Sequence, residues 1–246
     1  MTDEQGLQDE IERLRQSNDD LYKFAYMAAH ELQEPLRTIE SFLTLLNERY
    51  SSELTEEANE WLSETVAGAV RMRDLIHSLL TLSLVDSQEL QFELVNSTDV
   101  LQAALVDLKP VIEAQQVQIV ISDLPTVQAD EVLLALLFRN LIGNSIKYCS
   151  ARPTIKVRAI QKKEECIFEV SDNGIGFEMK YADKIFLPFE RLHSKMDYPG
   201  TGLGLALCKR IIDRHGGKIW AQSIVNEGST FSFSLPTLPN NTVRKL

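Results

Sequence analysis

From Leu7 to Arg49 the apolar positions recur at steps of four and three: Leu7, Ile11, Leu14, Asn18, Leu21, Ala25 and Ala28, then Leu32, Pro35, Ile39, Phe42 and Leu46. This is a heptad seam with Asn18 as its one polar interruption, and no glycine breaks it. A second pattern, Ala58, Trp61, Thr65, Ala69, Met72, Ile76, Leu79 and Ser83, follows a break near Tyr50-Ser51-Ser52. Two long helices with a short connection predict a helical hairpin. A stripe of this length needs partner helices, so two chains are expected to form a homodimeric four-helix bundle. With Ala25 and Ala28 turned inward, His30 falls at an outward position.

Beyond Asp86-Ser87-Gln88 the periodicity shortens. Gln91–Val95 reads as a strand, and Ser97 or Thr98 as the cap of a helix reaching about Gln115. Val117–Ser122 is strand-like, and Ala129 or Asp130 opens an apolar helix reaching about Tyr148. Thr154–Ile160 and Cys166–Val170 predict a hairpin. A helix from about Gly202 to Arg214 precedes a last strand pair, Gly217–Ser223 and Ser229–Leu235. The expected fold is therefore multidomain: an all-α hairpin, then an α+β sandwich with a helix layer on a mixed sheet. Residues 1–20 read as an N-terminal coiled-coil or signalling helix, 21–86 as the hairpin domain, 87–238 as the sandwich, and 239–246 as a disordered tail.

Composition narrows the partners. The 246 residues carry a formal net charge of −11, which argues against nucleic acid, since phosphate neutralisation needs a basic surface. The three cysteines, Cys149, Cys166 and Cys208, are widely spaced and form no metal-ligand pattern. The apolar runs are too short to cross a bilayer, and the polar N-terminus shows no signal peptide. A cytoplasmic location is expected, with any sensory input domain separate or missing.

Three features carry chemistry. The helix Leu133–Tyr148 is mostly apolar, yet Asn140, Asn144, Lys147 and Tyr148 share one face by their spacing. Buried amides and an ammonium need partners, at a cost of about 1–3 kcal/mol each if unpaired. Water would serve, and so would a magnesium triphosphate, since magnesium takes few protein oxygens. Asp172-Asn173-Gly174-Ile175-Gly176 then ends a strand. It fits a common turn, or a fixed carboxylate accepting from the exocyclic amine of adenine. Gly200-Thr201-Gly202-Leu203-Gly204 opens a helix, where backbone N–H groups make an anion site. Between the two loops, Glu190–Pro199 is polar, with His193, Ser194, Lys195, Asp197 and Tyr198. It reads as a lid over nucleotide, with Phe186, Pro188 and Phe189 at its base and Arg191 within reach of a terminal phosphate.

Together with His30-Glu31-Leu32-Gln33-Glu34-Pro35-Leu36-Arg37, these elements resemble the catalytic core of a two-component sensor histidine kinase, most nearly the phytochrome-type branch. The resemblance spans about Leu21 to Pro236. It implies a dimerisation and histidine-phosphotransfer domain with His30 as phosphoacceptor, followed by a Bergerat-type ATP-binding domain of the gyrase-like superfamily. Asn140, Asn144, Lys147 and Tyr148 would form the N box, with Asn144 as the magnesium ligand and Lys147 on phosphate. Asp172, Gly174 and Gly176 would form the G1 box, Phe186–Phe189 the F box, and Gly200, Gly202 and Gly204 the G2 box.

The implied cofactors are ATP and Mg²⁺, and the implied partner is a response regulator receiver domain. The resemblance favours Glu31 as the carboxylate that stabilises charge on the imidazole. Helix spacing offers Glu34, four residues on, as a rival. Glu34 stands where many relatives have Thr or Asn, which speaks against strong phosphatase activity by that route. Pro35 is expected to bend the helix. A gyrase-like ATPase without a histidine acceptor and a nucleotide-binding scaffold are the other classes open at this point.

Overall fold

A computed structural model describes residues 2–87, 89–149, 152–192, 198 and 200–236; before Met27 it describes the backbone and the side chains of Glu10, Arg13 and Gln16 only. The chain divides into two compact units, residues 1–88 and 89–246.

The first unit is a pair of helices, α1 (Thr2–Tyr50) and α2 (Glu56–Ser87). The connection is short because Glu53 and Leu54 both donate to the Tyr50 carbonyl (2.9 and 3.1 Å), closing the end of α1. Thr55 Oγ1 then accepts the Ala58 N–H (3.2 Å) and caps α2. The expected hairpin is present, but its seam on α1 has a different phase. Ala29, Leu36, Ala69, Ile76 and Leu80 are buried together, with Leu43 and Leu79 against them. The line facing α2 is thus Ala29, Leu36 and Leu43, one position on from Ala28, Pro35 and Phe42. The predicted α1 line instead carries exposed apolar side chains, Leu32, Ile39, Phe42 and Leu46, whereas the predicted α2 line is covered at Ala69, Ile76 and Leu79 and exposed at Trp61 and Met72. The seam positions from Leu7 to Ala25 lie outside the described side chains. α1 runs through Pro35 as one helix, although proline withholds the N–H that the Glu31 carbonyl would accept.

The second unit is a helix layer on a mixed sheet. Its strands are β1 (Glu93–Asn96), β2 (Gln118–Ile121), β3 (Thr126–Ala129), β4 (Thr154–Gln161), β5 (Glu165–Asp172), β6 (Lys218–Ile224) and β7 (Gly228–Pro236). Its helices are α3 (Ser97–Gln115), α4 (Glu131–Lys147) and α5 (Gly204–Arg214). The five-stranded sheet has the order β2-β4-β5-β7-β6, parallel at β2–β4 and antiparallel elsewhere. A separate antiparallel pair, β1–β3, was not expected from the sequence.

Alternation on β5 and β7 points Cys166, Phe168, Val170, Phe231, Phe233 and Leu235 to one face. There Phe168 and Phe233 stack with centroids 4.9 Å apart, and Phe138 of α4 meets Phe168 edge-on at 5.9 Å. All three rings are fully buried. They fix α4 over the sheet, so its polar face lies along the layer's edge.

Two caps set the helix starts. Asp130 Oδ1 accepts Leu133 N–H (3.1 Å) and opens α4, as expected. The cap of α3 is Asn96, not Ser97 or Thr98: its Oδ1 accepts Thr98 N–H at 2.9 Å. The tail after Pro239 lies outside the described residues, and no described helix is long and apolar enough to cross a membrane.

Candidate functional site

Asp172 ends β5, where the sheet releases the chain into the first glycine loop. Its Oδ1 accepts the backbone N–H groups of Gly174 (2.9 Å) and Ser229 (3.1 Å), and its Oδ2 accepts the Ser145 hydroxyl (3.2 Å). Burial pushes the Asp172 carboxyl above its ordinary value, and these three donors pull it back down. The carboxylate lies on the wall of an open cavity, which Asn144, Tyr148, Gly176, Arg191 and Phe231 also line. Ile175, Phe177, Ile185, Leu205 and Phe231 make much of that wall apolar. A flat heteroaromatic group with one amine donor suits such a cavity.

Local backbone geometry explains the glycines. Gly176 sits at φ +60°, and a side chain there would run into the Ile224 carbonyl. Ile175 donates to the Tyr148 carbonyl (2.9 Å) and accepts from Asn226 (2.7 Å), pinning the loop between the end of α4 and the β6–β7 turn. The second loop lies against the polar face of α4. A Cβ on Gly204 would stand 2.9 Å from Asn140 Oδ1, and one on Gly200 would stand 2.5 Å from Lys147 Nζ. The two glycine loops therefore reach the same helix from different parts of the chain.

Among the predicted residues, Asn144, Tyr148, Asp172, Gly176 and Arg191 line the cavity, and Gly174 holds Asp172 in place. Asn140 donates its amide to the Leu136 carbonyl (2.8 Å), which leaves Oδ1 toward Gly204. Lys147 Nζ donates to Tyr148 Oη (3.1 Å) and lies 4.6 Å from that ring's centroid. Thr201 Oγ1 accepts the Leu203 N–H (3.3 Å). Leu203 has its side chain in the core, so only its backbone faces the loop. Leu203, at the N-cap of α5, makes no side-chain cap hydrogen bond, so among the described residues the helix start is open to an anion.

Arg191 bridges the two ends of the segment between the loops. Its guanidinium donates to the carbonyls of Gly200 and Tyr198, tying the two ends of the intervening segment together. Within that segment, His193–Asp197 and Pro199 lie outside the described residues. Tyr198 packs on Tyr148 with ring centroids 5.0 Å apart. Phe186 is buried at its base, and Phe189, largely exposed, donates its N–H to the Gly202 carbonyl (3.0 Å).

Sequence reasoning missed Ser145 and Ser229, which hold Asp172 from 27 and 57 positions away. Only the oddity of a serine inside an apolar helix pointed to the first. It also missed the apolar wall, because Ile185, Leu205 and Phe231 look like ordinary core positions.

In the helical unit His30 is two-thirds exposed, and its Nδ1 lies 3.8 Å from Glu31 Oε1. Gln33, Glu34, Leu36, Arg37, Glu40 and Arg73 line a hollow beside it. Glu31 therefore makes the contact, and Glu34 shares the hollow.

Residues 20–88 match the family described as the His Kinase A (phospho-acceptor) domain, and residues 129–239 match the histidine kinase-, DNA gyrase B- and HSP90-like ATPase family. The chain is 42% identical over 224 residues to the phytochrome-like protein Cph1 of Synechocystis sp., covering 91% of this chain and 30% of that protein. It is 43% identical over 224 residues to cyanobacterial phytochrome A of Nostoc sp., covering 91% of this chain and 29% of that protein. It thus spans less than a third of the length of these relatives. Among solved structures, full-length ShkA in complex with AMPPNP shares the fold with a TM-score of 0.68 at 23% identity, over 88% of this chain and 46% of that one.

Proposed function

The chain belongs to the two-component histidine kinases, of which it is a catalytic core, and from that premise we propose that it moves the γ-phosphoryl group of ATP to His30 and on to an aspartate of a response regulator. The observation that carries this reading is the half-buried Asp172 carboxylate. It is held by three donors on the wall of a largely apolar cavity that Asn144 also lines. That wall accepts an adenine amine, and the polar face of α4 and the N-terminus of α5 take the phosphates.

Asn144 fits a magnesium ligand: it lines the cavity, and its side chain makes no hydrogen bond within the described residues. Bound there, magnesium would neutralise charge on the phosphates. Lys147 supplies a second positive charge on the same helix face, and Tyr148 holds that ammonium in place. Asn140 is a supporting polar group beside Gly204.

On the hairpin, Glu31 beside Nδ1 favours the tautomer with the proton on Nδ1, which leaves the Nε2 lone pair to attack phosphorus. The Nε2–P bond forms as the β–γ bridging P–O bond breaks, and ADP departs with the electron pair. The positive charge on the ring then faces the Glu31 carboxylate, which holds or takes the Nδ1 proton. Exposure of the ring suits both its donor and its acceptor, which must reach it in turn. The exposed line Leu32, Ile39, Phe42 and Leu46 is the surface for a second copy, giving a four-helix bundle. Our reading has the chain act in the cytoplasm and answer to a sensory domain on a longer or separate polypeptide.

Autophosphorylation with γ-labelled ATP and magnesium tests the reading. The expected product is acid-labile, base-stable and abolished by His30→Gln, while nucleotide binding persists in that variant. Label retained by the variant would remove His30 from the mechanism.

A further inference from the structure

Ser145 lies in the last turn of α4, among the buried Leu141, Ile142 and Ile146, and only 1% of it is exposed. A serine so placed ordinarily turns its hydroxyl back to the carbonyl four residues earlier. This one donates across to Asp172 Oδ2 at 3.2 Å instead. Alanine would favour the helix and fill the site nearly as well, so packing gives no reason for the hydroxyl.

The two oxygens of Asp172 are held differently. Oδ1 takes two backbone donors, both from the loop and strand that surround it. Oδ2 takes, among the described residues, the Ser145 hydroxyl alone, which leaves it capacity for one further donor. Without Ser145 the carboxyl group would be fixed at one oxygen and free to rotate out of the plane in which a base lies.

We propose that Ser145 is a positioning residue for base recognition: its hydroxyl fixes Asp172 Oδ2 toward the amino group of adenine, so that preference for an amino-bearing base depends on a side chain that does not itself line the cavity. The inference rests on the nucleotide-binding reading above. The hydroxyl also helps keep the carboxyl ionised against the effect of burial. An acceptor-only oxygen welcomes an amine, and a protonated one competes with it.

Equilibrium binding of ATP and of inosine triphosphate, each with magnesium, to the whole chain separates positioning from mere structure. Inosine triphosphate carries a 6-oxo group in place of the amine, so it gains nothing from an oriented Oδ2. Ser145→Ala is expected to weaken ATP about tenfold while changing inosine triphosphate affinity less than about twofold; Ser145→Thr, which keeps the hydroxyl, restores the ATP preference. Equal losses for both nucleotides, or no loss for either, would overturn the proposal. Ser145→Cys, nearly isosteric with a weak donor, gives an independent test should the alanine variant not fold: the preference must fall, and an unchanged ratio counts against the role. Failure of the unmodified chain to bind ATP would remove the underlying nucleotide reading, and it would be seen before any variant is compared.

Discussion

The helical hairpin and the sandwich treat apolar surface in opposite ways. The sandwich turns Phe138, Phe168 and Phe233 into one fully buried cluster, and its chemistry sits at the cluster's edge on a carboxylate with three donors. The hairpin buries one thin line, Ala29, Leu36 and Leu43 against Ala69, Ile76 and Leu80, and leaves Leu32, Ile39, Phe42 and Trp61 half or more exposed. Its chemistry is a ring in solvent with one carboxylate for company. The contrast teaches that the sandwich is structurally self-sufficient and builds a pocket that stays put. The hairpin leaves a line of apolar side chains uncovered and presents a ring open to solvent.

The largest way to break that contrast is to empty the sandwich core. Phe168→Ala removes a fully buried ring that touches both Phe138 and Phe233, and should destabilise the sandwich by about 3–5 kcal/mol. The two tryptophans divide between the modules, Trp61 on α2 and Trp220 on β6. With Trp61→Phe in the background, urea unfolding followed by Trp220 fluorescence reads the sandwich alone. A midpoint unchanged by Phe168→Ala would mean that the cluster is not the source of its stability.

A second change strikes the hairpin and spares the sandwich. Ile39→Glu with Phe42→Glu puts two charges on the unpartnered line. Self-association, followed by sedimentation, should weaken by at least about a hundredfold, because burying an unpaired carboxylate at an interface costs several kcal/mol. ATP affinity should stay within about twofold. Persistence of the dimer would show that the exposed line is not where the copies meet.

What the sequence made legible follows the same division. The glycine loops and the polar face of α4 were readable because their spacing is local: Asn140, Asn144 and Lys147 share a helix face whatever lies opposite. The start of α4 was readable to within Ala129 or Asp130, because an apolar helix follows directly. The phase of the hairpin seam was not readable. Ala28, Pro35 and Phe42 and the neighbouring line Ala29, Leu36 and Leu43 are both largely apolar, and only the position of α2 decides which one is covered. Strand β3 was hidden in Thr126–Ala129, four residues whose pairing with β1 supplies all of its regularity. Asn96 outranks Ser97 and Thr98 as a cap because β1 ends on it, a fact of pairing and not of propensity. Ser145 and Ser229 became functional candidates only when folding brought them to Asp172.

The two histidines give the smallest and sharpest comparison. His30 stands in solvent, whereas His215 is 4% exposed at the end of α5. His215 Nε2 must accept, since its partner is the backbone N–H of Asp130 (3.1 Å); Nδ1 therefore carries the proton and donates to the Ile211 carbonyl (2.8 Å). Phe92 meets the ring edge-on at 5.3 Å, and the Asp130 carboxylate holds Gln91 N–H at 3.1 Å, so this neutral ring helps tie α4, α5 and the segment before β1 together. Burial depresses its titration below the ordinary 6.5; the Ile211 carbonyl and Asp130 oppose that shift, and Arg214 adds to it. A histidine kept neutral in the fold but free to protonate when unfolded makes the unfolded state bind more protons below pH 6.5. Its contribution is therefore present in full above pH 6.5 and is lost as pH falls through the depressed native value. Thermal unfolding read at Trp220 should show stability declining on acidification from pH 7 to 5.5, with a shallower decline in His215→Leu, which cannot titrate. Parallel declines in the two proteins would assign the acid sensitivity to other groups and leave His215 a packing residue alone.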